Sequence, residues 1–435
     1  MGSHLIHQIT NITIILAVQQ AKLQKKSVHV ASYGVGVCTY LFDVGSDIWV
    51  ATEFYSRGDF FWFGVLIGLM VLSSVVVQMF SWFWFKYDRE LEGFDEQTAK
   101  NILFGGCVKL SFLLHVLQLG FFCRHISAIW QGFNVWWRQE QGSGYAVYLT
   151  HDLSMLRLIE TFCESAPQLT LMTHIMLHTN KARTVQCVSV VASTTSIAWM
   201  VVDYHRSLRS FLPDKAKQGW GSALVYFLWN LLLIAPRVAA VALFATILPS
   251  YLAAHFLLIW PVLVFWVWRQ ETDFMDSAGG EWLYRATVGL IWYFSWFNVA
   301  EGGTRRRSII YHSFMATDGG ILLVTWWFYR DQVLTQSYAP ILLATLPLTY
   351  LMGVLFKTLY YYCFHPTLWM PPVMEARLED ELPDGQEMVF RSIAPQTGTP
   401  RFCNKRMASH ATHFYSKEEA RKPSKINGCE ANTVV

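Results

Sequence analysis

Charge is scarce in this chain, and the scarcity excludes most of what a soluble protein of its length could be. Only 15% of the residues are Asp, Glu, Lys or Arg, against 53% apolar. Whole stretches carry none: residues 60–85 run for 26 residues without a charge, 332–356 for 25, and 238–268 for 31 interrupted only by His255. About 20 apolar residues suffice to cross a bilayer, so a polytopic membrane protein is expected. The net charge is only +3, and no stripe of Lys and Arg alternates with aromatics, which argues against nucleic acid as a partner. The eight cysteines are scattered with no Cys-x-x-Cys pair, so they read as packing residues, not as a disulfide frame or zinc site. His174 and His178 stand at i and i+4 with no third ligand or adjacent Glu, and are read as interfacial histidines. Phosphate loop, dinucleotide fingerprint and nucleophile elbow are all missing, so neither an enzyme nor a cofactor is indicated.

What is present is a succession of apolar runs. They place membrane helices at about 33–56, 60–85, 151–177, 184–204, 221–247, 249–268, 309–329 and 338–362. Two weaker segments, 104–123 with Lys109 and His115 and 282–299 with Arg285 and Asn298, are read as re-entrant or half-inserted. With eight crossings, the cluster Arg305, Arg306, Arg307, the loop carrying Arg206, Arg209, Lys215 and Lys217, and the tail all fall on the cytoplasmic side. Ten crossings would separate the two basic clusters. The expected fold is therefore an all-α polytopic membrane protein with about eight transmembrane helices and two re-entrant segments, spanning residues 33–363. Residues 1–32 read as a cytoplasmic leader. Their apolar patch, Ile9 to Val18, is followed by Lys22, Lys25 and Lys26 and lacks a small-residue cleavage site.

The few charges that do enter these runs are costly, at about 2.5 to 3.5 kcal/mol each at a helix centre on insertion scales. Arg157, Glu160 and Glu164 follow one another at i, i+3 and i+7 and share one face of the third span, a polar ladder about 10 Å long that must meet protein or water. Asp43 and Asp47 form a like-charged i, i+4 pair in the first span, and Asp203, Arg237 and Asp318 complete a set of six acids and two bases. Buried salt bridges, such as Arg157 with Glu160 or Arg237 with Asp203, are one reading. A hydrophilic path is the other, and the acid excess favours it. Pro167 removes a backbone donor beside the ladder, so a kink is expected there. Trp62, near a span end, is read as an interfacial anchor that could gate such a path.

From 364 to 435 the chain is polar, and a largely disordered cytoplasmic tail is expected. Six acids between 375 and 387 precede eight bases between 391 and 425. Such a basic segment suits an anionic inner leaflet or an acidic cavity mouth, as readily as plain solvent. In the acidic hinge, Glu381-Leu382-Pro383-Asp384-Gly385 resembles a caspase site, with cleavage after Asp384 and before Gly385.

Several long stretches, FDVGSDIW (42–49), FSWFWF (80–85), DLSMLRLIETFCESAPQLTL (152–171), DYHRSLRSFLP (203–213), YFLWNLLLIAPRVAAVALF (226–244), TDFM (272–275) and EWLYRATVGLIWYFSWFNVAEG (281–302), resemble the XK-related family of membrane proteins, and within it the caspase-activated phospholipid scramblases. The resemblance implies bidirectional, ATP-independent movement of phospholipids between plasma-membrane leaflets, exposing phosphatidylserine in apoptosis once a caspase removes the tail. It implies a single-pass immunoglobulin-type partner of the basigin and neuroplastin kind. By motif, it places Asp43, Asp47, Arg157, Glu160, Glu164, Asp203, Arg237 and Asp318 along a lipid path. An ion or solute transporter using the same charges, and a non-catalytic partner subunit, remain open as alternatives.

Overall fold

Each long apolar run becomes a helix, because in hydrocarbon a backbone can satisfy its own N–H and C=O groups only by internal hydrogen bonding. The computed structural model describes residues 41, 44–89, 108–137, 144–178, 184–211, 218–299 and 304–366. The leader, Asp43, Asp384 and the tail beyond 366 lie outside these residues. Among the described residues all regular structure is helical.

Helix α1 covers 44–56 and turns through Gly58, at φ 81°, into α2 (Phe60–Asp88). That left-handed conformation is open to glycine without a Cβ clash. The weak segment at 104–123 divides into a short α3 (Val108–Val116) and α4 (Gly120–Trp137). Nine residues rise only about 13 Å, less than half a hydrocarbon core. The break carries Gln118 at φ 63°, and α2 clamps it. Gln78 donates through Nε2 to the Gln118 carbonyl at 2.9 Å and accepts from the Phe121 N–H at 3.2 Å.

Next come α5 (Gly144–Glu160), a π-helical turn (Thr161–Ser165) and α6 (Ala166–His178) on one continuous axis, then α7 (Thr184–Phe211), α8 (Trp220–Ile247) and α9 (Pro249–Trp268). The second weak segment forms α10 (Ala278–Phe294), capped by Ser277, after which Ser295–Val299 run extended and buried. Glu281, near its start, ties down the preceding loop by accepting from the Phe274 and Met275 N–H groups at 2.9 and 2.8 Å. Finally, α11 (Thr304–Tyr329), the single-turn α12 (Gln332–Thr335) and α13 (Ala339–Leu359) follow, the last extended by a second π-helical turn at Tyr360–Phe364.

Five of these helices are long and apolar enough to cross a membrane: α2, α7, α8, α9 and α13. They match the spans expected at 60–85, 184–204, 221–247, 249–268 and 338–362. The α5–α6 rod and α11 are also long, but the charges they carry dilute their apolar character.

The bundle is organised around α8, which packs against α6, α7, α9, α11 and α13. Its apolar window is 67% buried, against 11–33% for the other four. It carries buried Asn230 and Arg237, and such groups must face protein within a bilayer. Contact with α13 is close because Gly353 faces Leu233: a Cβ there would stand 2.8 Å from Leu233 Cδ2 and 3.1 Å from the Leu232 backbone. Small residues at membrane helix crossings permit this approach, which dispersion forces reward.

Gly353→Leu should therefore overpack the α8–α13 contact and cost about 1–3 kcal/mol. A thermal melt of the detergent-solubilised protein should fall accordingly, while Gly64→Leu, where nothing lies within 4 Å of the added Cβ, should melt with the native chain.

Candidate functional site

The polar ladder lies where the α5–α6 rod changes helical type. Pro167 has no N–H, and its ring would collide with the Cys163 carbonyl in a continuous α-helix. The backbone widens instead: the Ala166 N–H reaches the Thr161 carbonyl, five residues back. The expected kink thus takes the form of a π turn, a feature that tends to fall at functional positions.

Around this turn the usual burial pattern of a membrane helix is inverted. Residues 151–156, 158, 159, 161–163, 166, 169 and 170 are buried, most of them apolar, whereas Arg157, Glu160, Glu164, Ser165 and Gln168 are only half-buried. The polar side of the rod is its accessible side. From α1, Asp47 (5% exposed) meets this stripe, accepting from Gln168 Nε2 at 2.5 Å, with Glu164 and Ser73 of α2 beside it. Glu160 adds a further carboxylate next to Glu164. At the other end, the Arg157 guanidinium acts on Asp203 of α7 and on His125 of α4, and Arg206 follows one turn along α7, stacked 4.5 Å over Trp220. Beyond Gln168 the stripe turns aromatic: Trp62, half-buried at the start of α2, packs on His174 with ring centroids 5.4 Å apart. From Arg157 to His174 the rise is about 25 Å, most of a 30 Å hydrocarbon core.

Arg237 and Asp318 form a second centre. Arg237 of α8 is 5% exposed; its Nη1 pairs with Asp318 Oδ2 of α11 and its Nε donates to the Tyr293 carbonyl at 2.9 Å. Asp318 Oδ1 accepts from His255 Nε2 of α9 at 3.0 Å, and His255 Nδ1 meets the Tyr293 hydroxyl at 3.0 Å. Of the two pairings considered from the sequence, Arg237 with Asp203 does not form. Asp318 takes the guanidinium and Asp203 faces Arg157. Ala242, which meets His174 of α6, lies five residues on from Arg237, about 140° round α8. Arg237 thus leaves α8 on another side from Ala242, toward α10, which also packs on the π turn of the rod.

Two further clusters were not singled out from the sequence. Arg124 of α4 pairs with Asp152 of α5 at 3.1 Å and donates to the Ser81 hydroxyl and carbonyl, each at 2.8 Å; Ser81 in turn meets His115 Nε2 at 2.9 Å. Lys357 of α13 donates to Ser308 Oγ and His312 Nε2 of α11, both at 2.8 Å. The available signal was a charge inside an apolar run, visible for Lys357 at the end of 332–356. His174 and His178 stack at 5.7 Å, and among the described residues no group of three or more His, Cys, Asp or Glu is arranged to hold a metal.

A buried ion pair stripped of one partner costs about 3–5 kcal/mol, whereas replacing both by apolar residues is close to neutral. Arg237→Met should thus collapse the monodisperse peak of the solubilised protein in size-exclusion chromatography, and the double change Arg237→Met with Asp318→Met should recover most of it.

The family model for XK-related protein matches residues 31–366. Over 387 residues the chain is 68% identical to XK-related protein 8 of Gasterosteus aculeatus, covering 88% of this chain and 96% of that relative. It is 69% identical over 385 residues to XK-related protein 8 of Tetraodon nigroviridis, covering 88% and 95%. With XK-related protein 8 of Pan troglodytes it shares 41% over 401 residues, covering 90% and 95%. An all-helical bundle with several membrane-length helices, matched along most of its length in this way, belongs to the XK-related family of multi-pass membrane proteins.

Proposed function

We propose that this protein is a phospholipid scramblase of the plasma membrane, opened when a caspase cuts after Asp384. The observation that carries the reading is the half-buried polar stripe Arg157, Glu160, Glu164, Ser165 and Gln168 in a segment, 151–170, whose other residues except Pro167 are buried. A lipid headgroup crossing bare hydrocarbon loses its hydration without compensation, and an unpaired charge there is the costliest case. Along this stripe, arginine and carboxylate groups stand in for headgroup water while the acyl chains stay in the bilayer. Arg157 and Arg206 can engage the lipid phosphate. Glu160, Glu164 and Asp47 can receive an ammonium group, which choline, ethanolamine and serine headgroups all carry. Such a path lowers a barrier in both directions and needs no ATP, consistent with the lack of a nucleotide motif.

Trp62 and His174 narrow the end of the path that positive-inside reasoning assigns to the outer surface, and Trp62 is the gate in this reading. Both termini are cytoplasmic. The tail's eight bases between 391 and 425 hold the resting state by lying against the acidic stripe or the anionic leaflet. A single-pass immunoglobulin-type partner of the basigin or neuroplastin kind carries the protein to the surface. Relatives named XK-related protein 8 support this assignment at the level of family.

The test is purified protein in liposomes with fluorescent phosphatidylserine in both leaflets and a membrane-impermeant quencher outside. Intact protein should lose only the outer-leaflet signal, and caspase-cut protein nearly all of it. The Asp384→Ala variant should stay at the outer-leaflet value after caspase treatment. Quenching that stops at about half in both states points instead to a transporter or a partner subunit. In the cut protein, Glu164→Ala should slow quenching at least about tenfold, an added barrier of about 1.4 kcal/mol, with little change in melting temperature.

A further inference from the structure

Away from the ladder, the bundle centre holds a small cavity that no step of the proposed lipid transfer uses. Leu233 and Arg237 of α8, Ser295 and Trp296 beyond α10, His312 of α11 and Tyr350 of α13 line it. It has room for one water or one monatomic ion. Arg237 is 5% exposed, with Nε and Nη1 engaged as described, but its Nη2 has no hydrogen-bond partner among the described residues.

The surrounding charge is also unbalanced. Lys357, 6% exposed, donates to Ser308 and to His312 Nε2 and lies over the rings of Trp229 and Trp296, at 5.1 and 5.2 Å. Lys357 Nζ meets His312 Nε2 at 2.8 Å, and His312 Nδ1 lies 3.0 Å from the Tyr350 hydroxyl, so the imidazole bridges Lys357 to the cavity wall. Among the described residues, the one carboxylate that pairs here is Asp318, on Arg237. Two basic side chains thus stand against one carboxylate in a low-dielectric interior, where any uncompensated positive charge is costly.

We infer that this cavity is a binding site for a small monovalent anion of chloride size. The anion accepts from Arg237 Nη2 and balances positive charge that Asp318 leaves uncompensated. Its seat joins α8, α11, α13 and the segment after α10, adding to the His312–Tyr350 and Arg237–Asp318 contacts and the aromatic rings that already meet there. Phosphate or a lipid headgroup is too large for the space, so the site is distinct from the ladder.

The experiment follows the melting temperature of the full-length detergent-solubilised protein as chloride rises, with gluconate holding ionic strength constant. The native chain should gain about 2 °C per tenfold rise once the site begins to fill, and Lys357→Met should lose that gain. A flat native response means the cavity holds water only and overturns the inference. An equal gain in Lys357→Met also overturns it, because the anion then binds elsewhere. Should Lys357→Met fail to fold, native crystals with bromide in place of chloride decide the matter. An anomalous scattering peak between Arg237 and His312 supports the site, and its absence removes it. None of these readouts involves lipid movement, so this inference and the scramblase reading fail separately.

Discussion

A polar group inside hydrocarbon must be paired within the protein or meet water, and the arrangement of this bundle follows from how each of its charges meets that demand. Arg124 with Asp152, and Arg237 with Asp318 and His255, are answered by side chains from neighbouring helices. These pairs join α4 to α5 and α8 to α9 and α11, at points where apolar packing alone would leave rotation about the helix axes weakly specified. Buried ion pairs add little net stability compared with apolar residues of the same size. Their effect here is to fix which face of each helix turns inward.

The α5–α6 rod meets the same demand differently. Its carboxylates crowd together, and Glu164 stands next to both Glu160 and Asp47 of α1. Like charges at this range repel by several kcal/mol unless water or a cation intervenes. Full burial is therefore not open to them, and the rod leaves this side half-buried while the apolar residues between Leu153 and Leu169, except Pro167, are buried. Gln168 follows Glu164 at the helical i, i+4 spacing, so the Asp47–Gln168 contact forms on the same side as Glu164.

Much of this was legible in the amino-acid order, and the boundary between legible and illegible is physical. Charge-free runs such as 60–85 and 332–356 declare helices because nothing else satisfies a backbone in lipid. The alignment of Arg157, Glu160 and Glu164 could be read because i, i+3 and i+7 is a local rule. The break between α3 and α4 inside 104–123 depends on Gln118 holding a positive φ with Gln78, forty residues away, as its support. No local pattern encodes that. Partner choice was illegible for the same reason: Arg237 takes Asp318 and not Asp203 because α8 and α11 pack together, which is a property of the whole bundle. Pro167 announced a disturbance, but whether a helix answers it by bending or by widening depends on the neighbours that support the carbonyls it frees.

The two polar centres also divide the work of stability and function in a way that bears on gating. Around Arg237 every contact is short, enclosed and drawn from a different helix, so a change there disturbs the packing of the central helix α8. Around Glu164 the contacts are few and partly open, and they involve α1 and the start of α2, whose own core of Ala51, Phe54 and Leu66 is small. The energy needed to move α1 and the Trp62 end of α2 away from the rod is correspondingly low, while the α8 core can remain closed. If lipid passes along the ladder, opening therefore requires displacement of a lightly packed edge and no rearrangement of the buried pairs. A tail that presses on that edge would need only a few weak, charge-based contacts to hold it shut, and its removal would release the edge without unfolding anything else.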